Sequence, residues 1–192
     1  RAQQPEMAPE RQTRYQRDYG LSEQDAKLIT AQKALVDFFE AAVTCGAPAK
    51  EVCHWMLGEM MRRLKEEELE PKDMRLTPTT LVKLIGMVQA GRINRNTASK
   101  VFRGIFAEDL DPEEWVTVHG LEQIRDERVI AGAVARVLEE HPQSAADYRA
   151  GKEKALGFLM GRVMKELKGK ADPGAVNALL KSRLETGGSE GG

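Results

Sequence analysis

Apolar residues recur every three or four positions along most of the chain, which is the spacing of one face of an α-helix. Ser22 with Asp25 is a typical helix start, and Gly46 and Gly91 mark helix ends. The pattern predicts helices over residues 21–43, 48–64, 77–91, 94–106, 111–120, 126–141, 151–169 and 172–184, with a short turn over 144–151. No run of alternating β-branched residues predicts a strand, so the predicted fold class is all-α.

The helices fall into two groups, which predicts two small helical bundles in tandem that join near Gly120. The first domain is expected at 21–119 and the second, with three main helices, at 120–184. Residues 1–20 are polar and contain proline, so they are expected to be a linker, and residues 185–192 a disordered tail. Leu28, Ala31 and Val129 are among the side chains expected to face inward.

Composition excludes several classes of protein. The chain has 192 residues and a formal net charge of −1, so any site for a polyanion must come from local segregation of charge. The two cysteines, Cys45 and Cys53, favour a reducing compartment without a disulfide framework. No apolar run approaches the roughly 18 residues of a membrane span. Because the chain begins Arg-Ala, it is expected to be a fragment or a processed product.

The most informative segment is GKEKALGFLMGRVMKELKGKADPGAVN, residues 151–177, which combines an apolar helical stripe with many cations. The cations that fall outside the stripe or follow it are Lys152, Lys154, Arg162, Lys165, Lys168 and Lys170. They are candidates for a phosphate-contacting patch, and a merely solvated helix face is the alternative. Tyr148 and Phe158 are the only aromatic residues nearby, so such a patch is expected to bind RNA by backbone shape.

Gly157 and Gly161 lie four residues apart inside the same predicted helix. Each interior glycine costs roughly 1 kcal/mol of helix stability against alanine, so a compensating role is expected. Close packing of another helix is the first interpretation, and close approach of a ligand to the backbone is the second.

The sequence shows no recognisable catalytic or metal-binding motif. Gly151-Lys152 lacks the preceding glycine and the following hydroxyl residue of a phosphate-binding loop. Cys45, Cys53 and His54 lack the paired spacing of a zinc site, and His119-Gly120 fits a helix end. We therefore predict no catalytic, cofactor-binding or metal-binding residue in this chain.

Several motifs, in order, carry a family resemblance: YGLSEQDAKLIT at 19–30, HWMLGEM at 54–60, LTPTTLVKLIGMVQAGRINRNTASKVF at 76–102, DPEEWVTVHGLEQIRDE at 111–127 and GKEKALGFLMGRVMKELKGKADPGAVNALL at 151–180. They resemble the C-terminal part of the B subunit of the aspartyl/glutamyl-tRNA amidotransferases (GatB), and the distal half also resembles the stand-alone YqeY proteins. The chain departs from the family's usual residues at His54, Arg162 and Asp172.

The resemblance implies a division of labour in a cytoplasmic heterotrimer of A, B and C subunits. An N-terminal cradle of the B subunit, missing from this chain, would bind ATP and Mg²⁺ and activate the misacylated tRNA, while the A subunit releases ammonia from glutamine. Residues 1–20 would be the linker from that cradle, and the YqeY-like tail would contact the tRNA near its elbow and D-loop.

Three functions remain open at this point. The first is a non-catalytic, tRNA-binding region that positions Asp-tRNA(Asn) or Glu-tRNA(Gln) for transamidation elsewhere in the complex. The second is a structural module that assembles the subunits through the apolar surplus of Trp55, Met56, Met60 and Met61. The third, catalysis by the chain itself, has no residue constellation to support it.

Overall fold

The structure is a computed structural model, and it describes residues 6–187. Its α-helices are α1 (Ala8–Tyr19), α2 (Glu23–Ile29), α3 (Lys33–Thr44), α4 (Ala49–Trp55), α5 (Met61–Glu66), α6 (Pro78–Gln89), α7 (Arg95–Ile105), α8 (Pro112–Val118), α9 (Glu127–Glu140), α10 (Pro142–Arg149), α11 (Lys154–Glu166) and α12 (Pro173–Thr186). A π-helical turn at Met56–Met60 joins α4 to α5, and Pro71–Asp73 is a 3₁₀ turn. Among residues 6–187 there is no strand, only one isolated bridge between Ile124 and Ala171, so the all-α prediction is confirmed.

The chain divides into two compact units. The first comprises the residues up to Ala90 with Ala98–Gly120, and the second comprises Gly91–Thr97 with the residues from Leu121 onward. The segment 91–97 thus differs from the sequence expectation, which assigned it to the first domain. Hydrogen bonds explain the difference, because the Asn94 amide donates to the Gly169 carbonyl at 3.0 Å and the Gln123 N–H donates to the Arg92 carbonyl at 2.7 Å.

Residues 8–19 form a docked helix, so the expectation that 1–20 is a linker is wrong over this range; residues 1–5 lie outside the described part. The Tyr15 side chain is fully buried, and its ring lies 4.9 Å from that of Phe39 between centroids. Its hydroxyl donates to the Glu40 carboxylate at 2.9 Å. The Arg14 guanidinium bridges Glu40 and Glu6, and it holds the pKa of Glu6 down at about 2.

The helix predicted over 21–43 is two helices, because the chain turns at residues 30–32. The Thr30 hydroxyl donates back to the Ala26 carbonyl at 2.8 Å and ends α2, and Gln32 is extended before α3 begins. Two residues that were expected to face inward do not, because Leu28 is 46 % exposed and Ala31 is exposed. The buried residues of α3, led by Phe38 and Phe39, still supply the predicted core face.

The helical stretch that contains Trp55 is interrupted by the π-helical turn. Trp55, Met56 and Met60 are all buried, and the rings of Trp55 and Phe102 lie 5.6 Å apart. Their apolar side chains therefore belong to the core of the first unit. The premise of the assembly hypothesis, that this apolar surplus faces outward, is wrong for these three residues.

The second unit is built from α9, α10, α11 and α12. Val134, Val163 and Leu180 are fully buried at its centre. Val129, expected inward, is 44 % exposed, since it lies in the first turn of α9.

Residues 142–149 form the helix α10, so the described part of the unit has four helices where three were expected. The helix α12 extends to Thr186, past the start of the predicted tail at 185, and residues 188–192 of that tail lie outside the described residues.

Candidate nucleic-acid interface

Helix α11 presents one face to the core and the opposite face to solvent. Leu159 and Val163 are fully buried, which fixes the orientation of the helix. At about 100° of rotation per residue, Lys165 lies about 20° around the axis from Lys154, and Arg162 lies about 80° from it. The apolar stripe is centred about 180° from Lys154. The cations of α11 therefore share one exposed side.

We call Lys154, Arg162, Lys165 and Lys168 the cationic face; the first three lie on α11 and the fourth in the turn that follows. All four are exposed, and within the described residues none makes an ion pair. The carboxylate of Glu166, which also lies on α11, pairs instead with Arg136 of α9. The face consequently keeps its full charge for an external anion.

The other two predicted cations differ from these four. Lys152 lies 3.1 Å from the Asp147 carboxylate, and its ammonium holds the pKa of Asp147 below the ordinary value, with a smaller contribution from the Gln143 amide. Lys170 is half-buried, and its carbonyl accepts a hydrogen bond from the Ile124 N–H at 2.9 Å. The structure thus distinguishes four free cations from one that is already paired and one that is less accessible. Their role in binding RNA stays a prediction.

Lys168 has an unusual backbone for a lysine. Its φ of +54° lies in the left-handed region, at the position after a helix end where glycine is usual. The Lys168 N–H donates to the Lys165 carbonyl at 3.0 Å, and the Gly169 N–H donates to the Met164 carbonyl at 2.8 Å. This hydrogen-bonding pattern fixes a cation just beyond the end of α11, in a conformation that favours glycine.

The two glycines of α11 face open space. A Cβ added at Gly157 or at Gly161 would meet no atom of the described residues within 4 Å, apart from the helix's own backbone. The first interpretation of these glycines, close packing of another helix within the protein, is therefore wrong. The second interpretation, that they leave the backbone open to a ligand, stays a prediction.

We expect Gly157→Ala and Gly161→Ala each to raise the free energy of unfolding by about 0.4–1 kcal/mol, because alanine favours the helix and the space is free. Urea denaturation of the two variants measures this change. Gly104→Ala is the contrasting control, since its Cβ would lie 2.3 Å from the Trp115 ring. A loss of stability in Gly157→Ala or Gly161→Ala would contradict the open environment of these glycines.

A pocket of about 360 Å³ opens beside this helix, within the second unit. It is lined by Tyr148, Glu153, Leu156, Gly157, Met160, Asn177 and Lys181. The sequence pattern drew attention to Tyr148, but it did not indicate a pocket. Three different helices and the residue before α11 contribute to it, and no periodic pattern in one segment shows that they meet.

The other described residues bear on the possibility of a metal site, a reactive thiol or a membrane-spanning helix. Among residues 6–187, no group of three or more His, Cys, Asp or Glu residues is arranged to hold a metal ion. Burial raises the pKa of the Cys53 thiol to about 11. None of the described helices has the length and apolar character that crossing a membrane requires.

Comparison with known proteins places these features in a family. A family model described as the GatB domain matches residues 37–184. The B subunit of an aspartyl/glutamyl-tRNA(Asn/Gln) amidotransferase from Agathobacter rectalis is 42% identical over 185 residues, which are 96% of this chain and 39% of that protein. The protein of the same description from Geobacillus thermodenitrificans is 44% identical over 184 residues, again 96% of this chain and 39% of the relative.

The chain thus spans about two fifths of the length of the relatives that it matches. The matched region includes α11, its cations and the pocket beside it. Because the family model covers most of the sequence and the relatives align over nearly all of it, the chain belongs to the GatB/YqeY family.

Proposed function

We propose that this chain is the tRNA-binding, non-catalytic region of the B subunit of a glutamine-dependent aspartyl/glutamyl-tRNA amidotransferase. In this role it holds Asp-tRNA(Asn) or Glu-tRNA(Gln) while ATP-dependent transamidation occurs in parts of the complex that the chain does not include. The A and C subunits would be its protein partners, and the cytoplasm its location. ATP and Mg²⁺ would be bound by the portion of the B subunit that lies outside this chain.

The observation that carries the proposal is the cationic face. Four exposed cations that make no ion pair among residues 6–187 lie along one helix and its C-terminal turn, in a chain whose net charge is −1. Lys and Arg side chains arranged in this way contact phosphates, and such contacts position a nucleic acid without reading its sequence. The names of the relatives supply the class of RNA, because those proteins are described as tRNA amidotransferase subunits.

Salt titration of tRNA binding tests the proposal. We expect the 192-residue chain to bind tRNA(Asn) or tRNA(Gln) transcripts at low salt with a log–log salt slope of about −4, roughly one ion released per free cation. Affinity measured by filter binding should fall roughly 250-fold between about 50 and about 200 mM salt. Binding no stronger than that of a neutral control protein at about 50 mM salt would refute the proposed function.

A second candidate function, assembly of the amidotransferase complex, is favoured by a different surface. Val118 is 73 % exposed and Leu110 is 40 % exposed, and with Trp115 they line a shallow pocket of about 190 Å³ in the first unit. The ring of His119 stacks on that of Trp115 with centroids 3.8 Å apart. Exposed apolar side chains around an aromatic pair are typical of a protein–protein contact.

If α8 contacts another protein of the complex, Val118→Asp should weaken assembly by at least about 10-fold, because it places a charge in an apolar contact. Co-purification with the A and C subunits measures assembly. Val129→Asp is the control, since Val129 is the same residue type, 44 % exposed, and lies in the second unit. Unchanged assembly of Val118→Asp would exclude α8 from the interface with those subunits.

A further inference from the structure

The pocket beside α11 contains polar side chains whose hydrogen-bonding capacity is unused. Neither the Tyr148 hydroxyl, the Asn177 amide, the Glu153 carboxylate nor the Lys181 ammonium makes a hydrogen bond or an ion pair with any described residue. Together they offer donors and acceptors of four chemical kinds around one depression. Side chains of four kinds that converge without partners indicate a ligand with a mixed donor and acceptor edge.

The rest of the lining is apolar and suits a flat aromatic group. Tyr148, Leu156 and Met160 pack against the core of the second unit and also line the pocket, so the apolar surface is held in place. Gly157 has no side chain, and beyond the helix's own backbone no atom of residues 6–187 lies within 4 Å of where its Cβ would be. The volume of about 360 Å³ leaves room for a single planar heterocycle.

The position of the pocket indicates where such a heterocycle would come from. Gly157 follows Lys154 by three residues on α11 and lies about 60° from it around the axis, so the Gly157 edge of the pocket adjoins Lys154, whereas Arg162 lies on the other side of Lys154. A nucleic-acid backbone held at Lys154 would pass beside this edge of the pocket. RNA-binding proteins commonly recognise bases that are unstacked, placed against an aromatic side chain and hydrogen-bonded on their edges.

We propose that this pocket binds one unstacked nucleobase of the RNA, with guanine preferred. The inference rests on the proposed function, because the RNA backbone must first be held by the cationic face. The Glu153 carboxylate would accept hydrogen bonds from guanine N1–H and N2–H, and the Lys181 ammonium would donate to O6. Adenine and uracil cannot offer two adjacent donors to one carboxylate, and this difference favours guanine.

A protein segment is the competing occupant, and charge argues against it. Lys181 and Glu153 both line the pocket and balance each other's charge, while Lys154 adjoins its Gly157 edge, so an occupant attached to a phosphate gains an attraction there that a neutral peptide lacks. The sequence alone predicted that RNA would be bound by its backbone shape. The pocket adds a site at which base identity affects binding.

Binding of RNA hairpins to the 192-residue chain tests the inference. The probes carry a five-base loop of uridines with guanine, inosine or adenine at the centre, and fluorescence anisotropy at about 50 mM salt gives the affinities. We expect guanine to bind about 10-fold more tightly than adenine, and inosine, which lacks the N2 amine, to fall between them.

Variants then separate the pocket from the cationic face. Tyr148→Leu should lower affinity for the guanine hairpin about 10-fold and leave the salt slope unchanged. Glu153→Gln should bring the ratio of the affinities for the guanine and adenine hairpins close to 1. This ratio does not depend on the general electrostatic effect of losing a carboxylate, because that effect is the same for both hairpins. Tyr19→Leu is the matched control, since Tyr19 is, like Tyr148, a half-buried tyrosine, and it lies in the first unit, outside the pocket.

The outcomes distinguish this inference from the proposed function. Tyr148 also packs against the core, so Glu153→Gln, at an exposed residue, keeps the test valid if Tyr148→Leu fails to fold. RNA binding with a steep salt slope, but with no base preference and no effect of Glu153→Gln, would refute base binding in the pocket. The proposed function would still stand. Absence of all RNA binding overturns both. Unchanged RNA binding with lost assembly of the complex in the pocket variants shows a protein contact and also overturns the inference.

Discussion

Reversing three exposed cations of α11 in the variant K154E/R162E/K165E is expected to weaken tRNA binding at least about 100-fold at low salt. Each reversal removes one attraction to phosphate and adds one repulsion. With Lys168 alone remaining of the cationic face, the log–log salt slope should fall from about −4 to about −1. Filter binding of a tRNA(Asn) or tRNA(Gln) transcript over a series of salt concentrations measures both quantities.

The fold should tolerate this variant. Lys154, Arg162 and Lys165 are exposed and make no ion pair within the part of the chain that the structure describes. A glutamate at position 154, in the first turn of α11, is favourable to the helix dipole, and a glutamate at 165, in the last turn, is unfavourable by a similar few tenths of a kcal/mol. The two effects offset each other, so circular dichroism and thermal unfolding should stay close to those of the parent chain.

The control for total charge is K27E/K65E/K100E in the first unit. These lysines are also exposed or half-buried and free of ion pairs among residues 6–187, and the substitutions change the net charge by the same amount, about −6. If binding depends on the cationic face, the control should lose much less than about 100-fold. Equal losses in the two triple variants would mean that overall charge, and no particular surface, governs binding.

Lys168→Gly gives an independent check, because it should change stability and binding in opposite directions. Lysine at φ +54° is strained by about 1 kcal/mol, and glycine relieves that strain. The variant should therefore unfold at higher denaturant concentration while its tRNA salt slope becomes less steep by about 1. If both stability and binding rise, Lys168 does not contact phosphate.

The cationic side of α11 could be predicted from the sequence because both of its determinants are local. The positions of Leu159 and Val163 fix the buried face, and helical periodicity then places Lys154 and Lys165 opposite. Whether each cation is free or already in an ion pair could not be predicted in this way. Lys152, in contrast to Lys154, makes an ion pair with Asp147 on α10, and this pair depends on the turn at Gly151.

The glycines and the pocket show where local reasoning ends. A Gly-x-x-x-Gly spacing fits close packing and open solvent equally well, and only the positions of the other helices decide between them. Tyr148 and Asn177 lie far apart in the sequence and line one pocket because α10 and α12 both pack near α11. A contact of this kind arises from tertiary structure and leaves no periodic trace in either segment.

The N-terminal helix could not be predicted from its composition, although its end signals were present. APERQTRYQRDY contains only two large apolar side chains, Tyr15 and Tyr19, so it resembles a polar linker. Pro9 near the start and Gly20 at the end, with φ +63°, nevertheless match the usual proline and glycine positions of a helix. The two tyrosines are four residues apart and therefore share a face, which packs on Phe39.

We expect Tyr15→Ala to lower the free energy of unfolding by about 3–4 kcal/mol, because it removes a fully buried aromatic ring from the contact between α1 and α3. Tyr15→Phe keeps the ring and loses only the hydrogen bond to Glu40, so it should cost about 1 kcal/mol. Urea denaturation followed by circular dichroism measures both variants.

The difference between the two variants decides whether α1 is part of the folded unit. If residues 8–19 were an undocked extension, Tyr15 would behave as a surface side chain, and both changes would stay within about 0.5 kcal/mol of the parent. A docked α1 instead requires a large loss in Tyr15→Ala and increased hydrogen exchange of the α1 amides, because the helix is too short to persist alone.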